Sequence, residues 1–214
     1  FTQVFDINGG ALWFGQGPVK DYSYDGDVVY HELSHAVIDA TIKLVGTPHL
    51  DEYGVSYSPG GMNEGLADYF SSAISGDPDA GEYAAKDLGG DTVIRSLANN
   101  DKCPTGIIGE VHADSTVFSG ALWEARTKVA EADRGKFDAA LYKAMRTNAG
   151  SSDLGYEDLG KLFLATLKTD FPDGATKLEA AMTGRGLLPV CERIVSFEGA
   201  PITSPTRARA IARA

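Results

Sequence analysis

The chain has 214 residues, 43% of them hydrophobic and 23% charged, which is enough apolar material for one or two globular domains with a sizeable core. Thirty acidic against nineteen basic residues give a net charge of −11, which disfavours nucleic acid or an anionic membrane surface as partner, since both need a basic face. No uninterrupted apolar run approaches the ~18 residues of a membrane span, and the one basic cluster, Arg207, Arg209 and Arg213, reads as a solvated tail.

The chain opens at Phe1 without a charged-then-apolar leader, which reads as a mature form or a fragment of a longer precursor. Thr2 to Ile7 and Ala11 to Phe14 are rich in β-formers and flank Asn8-Gly9, so a small antiparallel hairpin is expected. Gly15 to Gly26 is a loop. A helix is predicted from Asp25 or Asp27 to Val45, with Val28, Val29, Leu33, Ala36, Val37 and Leu44 as its apolar surface and Gly46-Thr47-Pro48 as its stop. His49 to Gly61 is a turn-rich connection. A second helix runs from Met62 to Ile74 and stops near Gly76-Asp77-Pro78.

Asp79 to Asn100 holds short helical pieces, and Asp101 to Val111 is a loop. Asp114 is a plausible N-cap for a helix reaching Ala132, whose stripe is Phe118, Ala121, Leu122, Ala125 and Val129. Amphipathic helices follow at Phe137 to Thr147, Tyr156 to Thr169 and Ala175 to Thr183, with Gly184 suited to the last C-cap. These stripes are core and carry no function of their own. From Leu187 onward the pattern is irregular.

The chemistry concentrates at His31-Glu32-Leu33-Ser34-His35. Histidines four apart on a helix lie only about 40° apart around its axis, so both imidazoles face one point and can supply two ligands to a zinc ion. Glu32 brings a carboxylate beside the open position, where a water could be activated. The alternative is a helix whose two histidines merely share a face. A catalytic zinc site needs a third protein ligand. In Gly61-Met-Asn-Glu-Gly-Leu-Ala-Asp, Glu64 and Asp68 are one turn apart. Glu64 can complete the set if the helices pack together, and Asp68 can accept the free ring N–H of a ligating histidine. Two solvated carboxylates near a helix start are the alternative reading.

His-Glu-Leu-Ser-His-Ala-Val-Ile-Asp followed by Asn-Glu-Gly-Leu-Ala-Asp-Tyr-Phe resembles the thermolysin family of zinc endopeptidases, with some likeness to the related fungalysins. Gly90-Asp-Thr-Val-Ile-Arg-Ser-Leu resembles the family's segment carrying an arginine that holds the substrate carbonyl, here Arg95. Gly109-Glu-Val-His-Ala-Asp-Ser-Thr resembles the segment carrying a histidine that stabilises the transition state, here His112. These segments, in order over residues 27 to 123, are far more specific together than any one alone.

The resemblance implies a zincin-like α+β fold: an N-terminal hairpin left from a β-rich lobe, a mainly α-helical lobe, and an active-site cleft between them. The corresponding boundaries are 1–26 for the β-rich edge, 27–75 for the zinc-binding helices, 76–186 for the helical lobe and 187–214 for an irregular tail. It implies zinc held by His31, His35 and Glu64, Asn63 and Asp68 orienting those ligands, and Glu32 and His112 as catalytic groups. It also implies that Val28 and Ile94 line the pocket for a bulky apolar residue after the scissile bond; plain core packing is the alternative for both.

A secreted monomeric endopeptidase made as a zymogen, acting on peptide or protein substrates, is the implied whole. A secreted setting favours a disulfide over free thiols for Cys103 and Cys191. An aminopeptidase on the same motif, or a catalytically weak zinc-binding module, are the other readings. The sequence departs from the family in three places. Gly46 stands where a tyrosine partner of the transition-state histidine is expected, leaving Tyr53 or Tyr57 to reach that space. Ile107 stands where that histidine's acidic partner is expected, leaving Glu110, Asp101 or Asp114. Asp27 and Glu82 match parts of a calcium cluster, but Ser75 replaces a carboxylate, so calcium is not expected.

Overall fold

The computed structural model describes residues 11–44, 48–51, 54–88, 92–191, 195–197 and 200–202. Among these, helices dominate: α1 (Gly26–Asp39), α2 (Ser58–Ser75), α3 (Val111–Thr127), α4 (Arg134–Thr147), α5 (Tyr156–Asp170) and α6 (Pro172–Gly184). Two-stranded antiparallel ladders pair β1 (His49–Asp51) with β2 (Gly54–Ser56), β3 (Asp79–Ala80) with β4 (Arg95–Ser96), and β5 (Val195–Phe197) with β6 (Ala200–Ile202). A mostly helical chain with small antiparallel sheets is compatible with the α+β class. The expected N-terminal hairpin is not supported where it can be checked. Its first arm and Asn8-Gly9 turn lie outside the described residues, and Ala11–Phe14 forms no strand. The following loop is held by tertiary bonds instead: Val19 and Lys20 donate backbone N–H groups to Asp87 at 3.0 and 2.6 Å.

Helix α1 starts as expected, with the Asp25 carboxylate accepting the N–H groups of Asp27 and Val28 at 3.1 and 3.3 Å. It ends at Asp39 rather than Val45. Lys43 adopts a left-handed φ of 60° with its N–H on the Ile38 carbonyl, and the Thr41 carbonyl is captured by Gly150 N–H at 3.1 Å. Long-range capture of a carbonyl is invisible to local periodicity. Its inward face is Val28, Glu32, His35 and Ile38, whereas Leu33 points outward and is 47% exposed. Polar site residues therefore occupy the stripe that apolar residues usually hold.

Helix α2 begins at Ser58, a turn before Met62, because Pro59 fits a first turn whose N–H groups have no intrahelical partner. Gly61 is helical for a packing reason: a Cβ there would lie 2.7 Å from the Tyr156 hydroxyl. Gly76, at φ 81°, ends the helix as expected. Helix α3 is capped by Glu110 and not by Asp114, and it stops at Thr127 short of Ala132, with a 3-10 turn at Glu131–Asp133 before α4. Gly184 is the last residue of α6 rather than its cap, and the reversal falls at Gly186, at φ 72°.

The core lies around α2 and α3. The predicted stripe Phe118, Ala121, Leu122, Ala125 and Val129 is buried there with Tyr69, Leu141, Phe163 and Leu178. Each large apolar side chain so buried contributes about 1.5–3 kcal/mol. Tyr69 of α2 donates to Asp138 of α4, whose carboxylate also accepts Arg126 Nε of α3 at 3.0 Å, so one polar knot joins three helices.

A second knot sits past α6. Buried Arg185 donates to Glu124 at 3.1 Å, to the Asn99 side chain at 2.8 Å and to the Asp101 carbonyl at 3.1 Å. Beside it Cys103 and Cys191 are disulfide-bonded, with Cα atoms 5.7 Å apart across 88 residues of chain. By the chain-entropy model a loop of that size contributes about 4–5 kcal/mol. Together they pin the loop that leads into α3.

Candidate metal centre and cleft

Helices α1 and α2 pack so that His31 and His35 meet Glu64. The two Nε2 atoms are 2.9 Å apart, and Glu64 Oε2 and Oε1 lie 3.2 and 3.6 Å from His31 and His35 Nε2. One ligand atom from each of the three lies within 4.8 Å of the others, and no other such group is found among the described residues. The opposite ring nitrogens are both engaged. His31 Nδ1 bonds Asp68 Oδ1 at 2.8 Å, and His35 Nδ1 bonds Asn63 Oδ1 at 2.6 Å. The Asn63 orientation is set by its amide donating to the Leu44 carbonyl at 2.6 Å.

A carboxylate and an amide oxygen only accept, so both Nδ1 atoms donate and both Nε2 lone pairs face one point. Two lone pairs this close repel unless a cation sits between them. The charge pattern agrees. Burial disfavours a charged His31, yet the carboxylates of Asp68 and Glu64 outweigh it and push its pKa up to about 9. Burial alone would raise Glu64, but the two histidines hold it far below the carboxylate range. Glu64 Oε2 is buried with no hydrogen-bond partner among the described residues. Two imidazoles and an orphaned carboxylate oxygen suit a tetrahedral zinc ion with its fourth position open.

Glu32 is buried on α1 and lines, with Glu64 and His112, a cavity of about 530 Å³. Its apolar side is Val28, Leu88 and Ile94, which pack with Tyr22, Phe14 and Ala84 into a small second cluster. Ile94 is the residue against Gly81, where an added Cβ would meet its Cδ1. That wall is tied to α1 by Asp25 Oδ2, which accepts Ala84 N–H at 2.9 Å, and by Asp27 Oδ2, which accepts Gly81 N–H at 3.2 Å. Leu88 and Asp27 are cavity residues that the sequence reading did not assign to the cleft; no local pattern marks Leu88.

Arg95, on β4, lines the cavity through its guanidinium's ion pair with Asp68. Nε donates to Oδ2 and Nη2 to Oδ1, both at 2.8 Å. Burial would lower the Arg95 pKa, but Asp68, then Glu64 and Glu110, raise it. His112 stands in the first turn of α3 with Nε2 3.6 Å from Glu64 Oε2. Its Nδ1 bonds Glu110 Oε1 at 2.8 Å. Of the three acidic candidates, Asp114 instead accepts the N–H groups of Ile108 and Gly109 at 2.6 and 3.2 Å, and the Asp101 carbonyl serves Arg185. Among the described residues no tyrosine lines the cavity; Tyr57 sits at the start of α2, and Gly46 and Tyr53 lie outside the described residues.

No family model matches the chain. It is similar to fungal extracellular metalloproteinases. It is 30% identical over 126 residues to the extracellular metalloproteinase mep of Aspergillus flavus, covering 53% of this chain and 19% of that protein. It is 30% identical over 144 residues to the extracellular metalloproteinase MEP of Neosartorya fischeri, covering 60% and 22%. The probable extracellular metalloproteinase 4 of Trichophyton verrucosum is 28% identical over 154 residues, covering 66% and 23%. The chain therefore spans about a fifth of the length of the curated relatives it matches. Among the described residues no helix is long and apolar enough to cross a membrane.

Proposed function

We propose that this chain is the catalytic part of a secreted, monomeric zinc endopeptidase that cleaves peptide bonds before bulky apolar residues. One observation carries the reading: the donor atoms of His31, His35 and Glu64 converge at one end of a cavity that also holds Glu32 and His112. In this reading residues 27–75 are the zinc helices and 76–186 the helical lobe, with the cleft opening between the latter and the N-terminal segment.

Bound zinc supplies a Lewis acid that polarises the scissile carbonyl and lowers the pKa of water. The remaining work belongs to the chain. Glu32 takes the proton of the attacking water and delivers it to the departing amine. His112 donates from Nε2 to the oxygen on which negative charge develops. Arg95, oriented by Asp68, offers its remaining N–H groups to the substrate carbonyl. Asp68 and Asn63 keep both Nδ1 atoms donating, so the ligating lone pairs stay aimed. Val28, Leu88 and Ile94 form an apolar pocket for the side chain after the scissile bond.

Internally quenched, N-blocked peptides that vary the residue after the cleavage point test this. Cleavage with Leu or Phe there is expected at about tenfold or more above Ala. A chelator abolishes it and zinc restores it. A requirement for a free amino terminus indicates an aminopeptidase, and bound zinc without hydrolysis indicates a binding module; either result overturns the reading.

A further inference from the structure

The geometry points to Glu110 as the positioning residue for His112: one carboxylate caps α3 and accepts the ring's Nδ1–H, turning Nε2 toward the cavity. This deepens the peptidase reading and rests on it.

His112 is 53% exposed on its side chain, so packing alone does not choose between the two flips of its ring. The hydrogen bond to Glu110 Oε1 at 2.8 Å supplies that choice. The acceptor is itself fixed. Oε1 also accepts His112 N–H at 3.2 Å, and Oε2 accepts Ala113 N–H at 2.9 Å. A carboxylate over the first N–H groups of a helix also meets the positive end of its dipole. Ring and acceptor therefore move as one body with the first turn of α3. The loop leading to Glu110 is held from behind by Arg185 and by the Cys103–Cys191 bond, and from ahead by Asp114, which binds Ile108 and Gly109. With Asp114 buried and committed to backbone groups, Glu110 is the carboxylate that faces the ring.

Glu110→Ser separates the two roles. Serine is a good N-cap, so the helix keeps its cap, but its hydroxyl is too short to reach Nδ1. In zinc-loaded chain, kcat for an N-blocked peptide is expected to fall about tenfold with KM within twofold and the denaturation midpoint unchanged. The double variant Glu110→Ser/His112→Ala is expected to be no slower than His112→Ala alone. Nitrogen chemical shifts of the neutral His112 ring, read through its carbon-bound protons at alkaline pH, give an answer independent of activity. The Nδ1–H tautomer is expected in the parent and the Nε2–H tautomer in Glu110→Ser. An Nε2–H parent ring, a kcat within twofold in Glu110→Ser, or multiplicative losses in the double variant overturn the assignment. Absence of peptidase activity in the parent would sink the peptidase reading while the ring shifts still decide the role of Glu110.

Discussion

Replacing Glu32 by Gln is expected to leave one zinc ion per chain while lowering kcat for N-blocked peptides about 10²–10⁴-fold, the range of a lost general base. The side chain is buried and lines the cavity, but it is not one of the three groups whose ligand atoms converge. Glutamine has nearly the same volume, so the packing of α1 against α2 is kept and the change is confined to basicity. An amide cannot take the proton of the attacking water. Metal content and turnover measured on the same sample separate the roles: loss of zinc would move Glu32 into the metal-binding set, and turnover within tenfold of the parent would contradict its role as base.

The second large effect is expected at Asp68. Its carboxylate is buried and accepts His31 Nδ1 and both Arg95 donors at 2.8 Å. Burial works against its charge, but Arg95 and then His31 hold its pKa down to about 2. A carboxylate depressed from 3.8 gives stability that is present above that value and lost as the pH falls through about 2. At neutral pH the whole contribution is therefore in place.

Asp68→Asn removes the charge and leaves the Arg95 cation in a mostly buried position without its partner. Breaking such a pair costs about 3 kcal/mol, the low end of the usual range because the Arg95 side chain keeps 19% of its surface in water. Zinc affinity is expected to fall a further 10- to 100-fold, since an amide secures the His31 tautomer less firmly. Denaturant midpoints of the zinc-free chain and competition with a chelator read the two losses separately. A midpoint shift below about 1 kcal/mol would show that the Asp68–Arg95 pair is not the strut described here.

What the sequence made legible was the part governed by local helical geometry. The four-residue spacings of His31 with His35 and of Glu64 with Asp68 need nothing beyond a helix to place each pair on one face. Glu110 and Asp114 show where that kind of reasoning stops. Both are acidic residues near the start of α3, and either could cap it; the choice depends on the loop folding back so that Asp114 binds Ile108 and Gly109. The end of α1 depends on Gly150, more than a hundred residues away, binding the Thr41 carbonyl. Pro59-Gly60-Gly61 reads locally as a loop, but it becomes helix because Gly61 admits the Tyr156 hydroxyl. Leu88 and Leu33 exchange expected roles for the same reason: the first becomes a cavity wall and the second faces solvent, as packing and not periodicity dictates.

The joining of His31, His35 and Glu64 around one metal ion is the claim on which the rest depends, and zinc X-ray absorption on the purified chain tests it most directly. One zinc per chain is expected, with two imidazole nitrogens at about 2.0–2.1 Å, a carboxylate oxygen at about 2.0–2.2 Å, and loss of that spectrum in Glu64→Ala. Substoichiometric zinc, a shell without imidazole, or an unchanged spectrum in Glu64→Ala would contradict it.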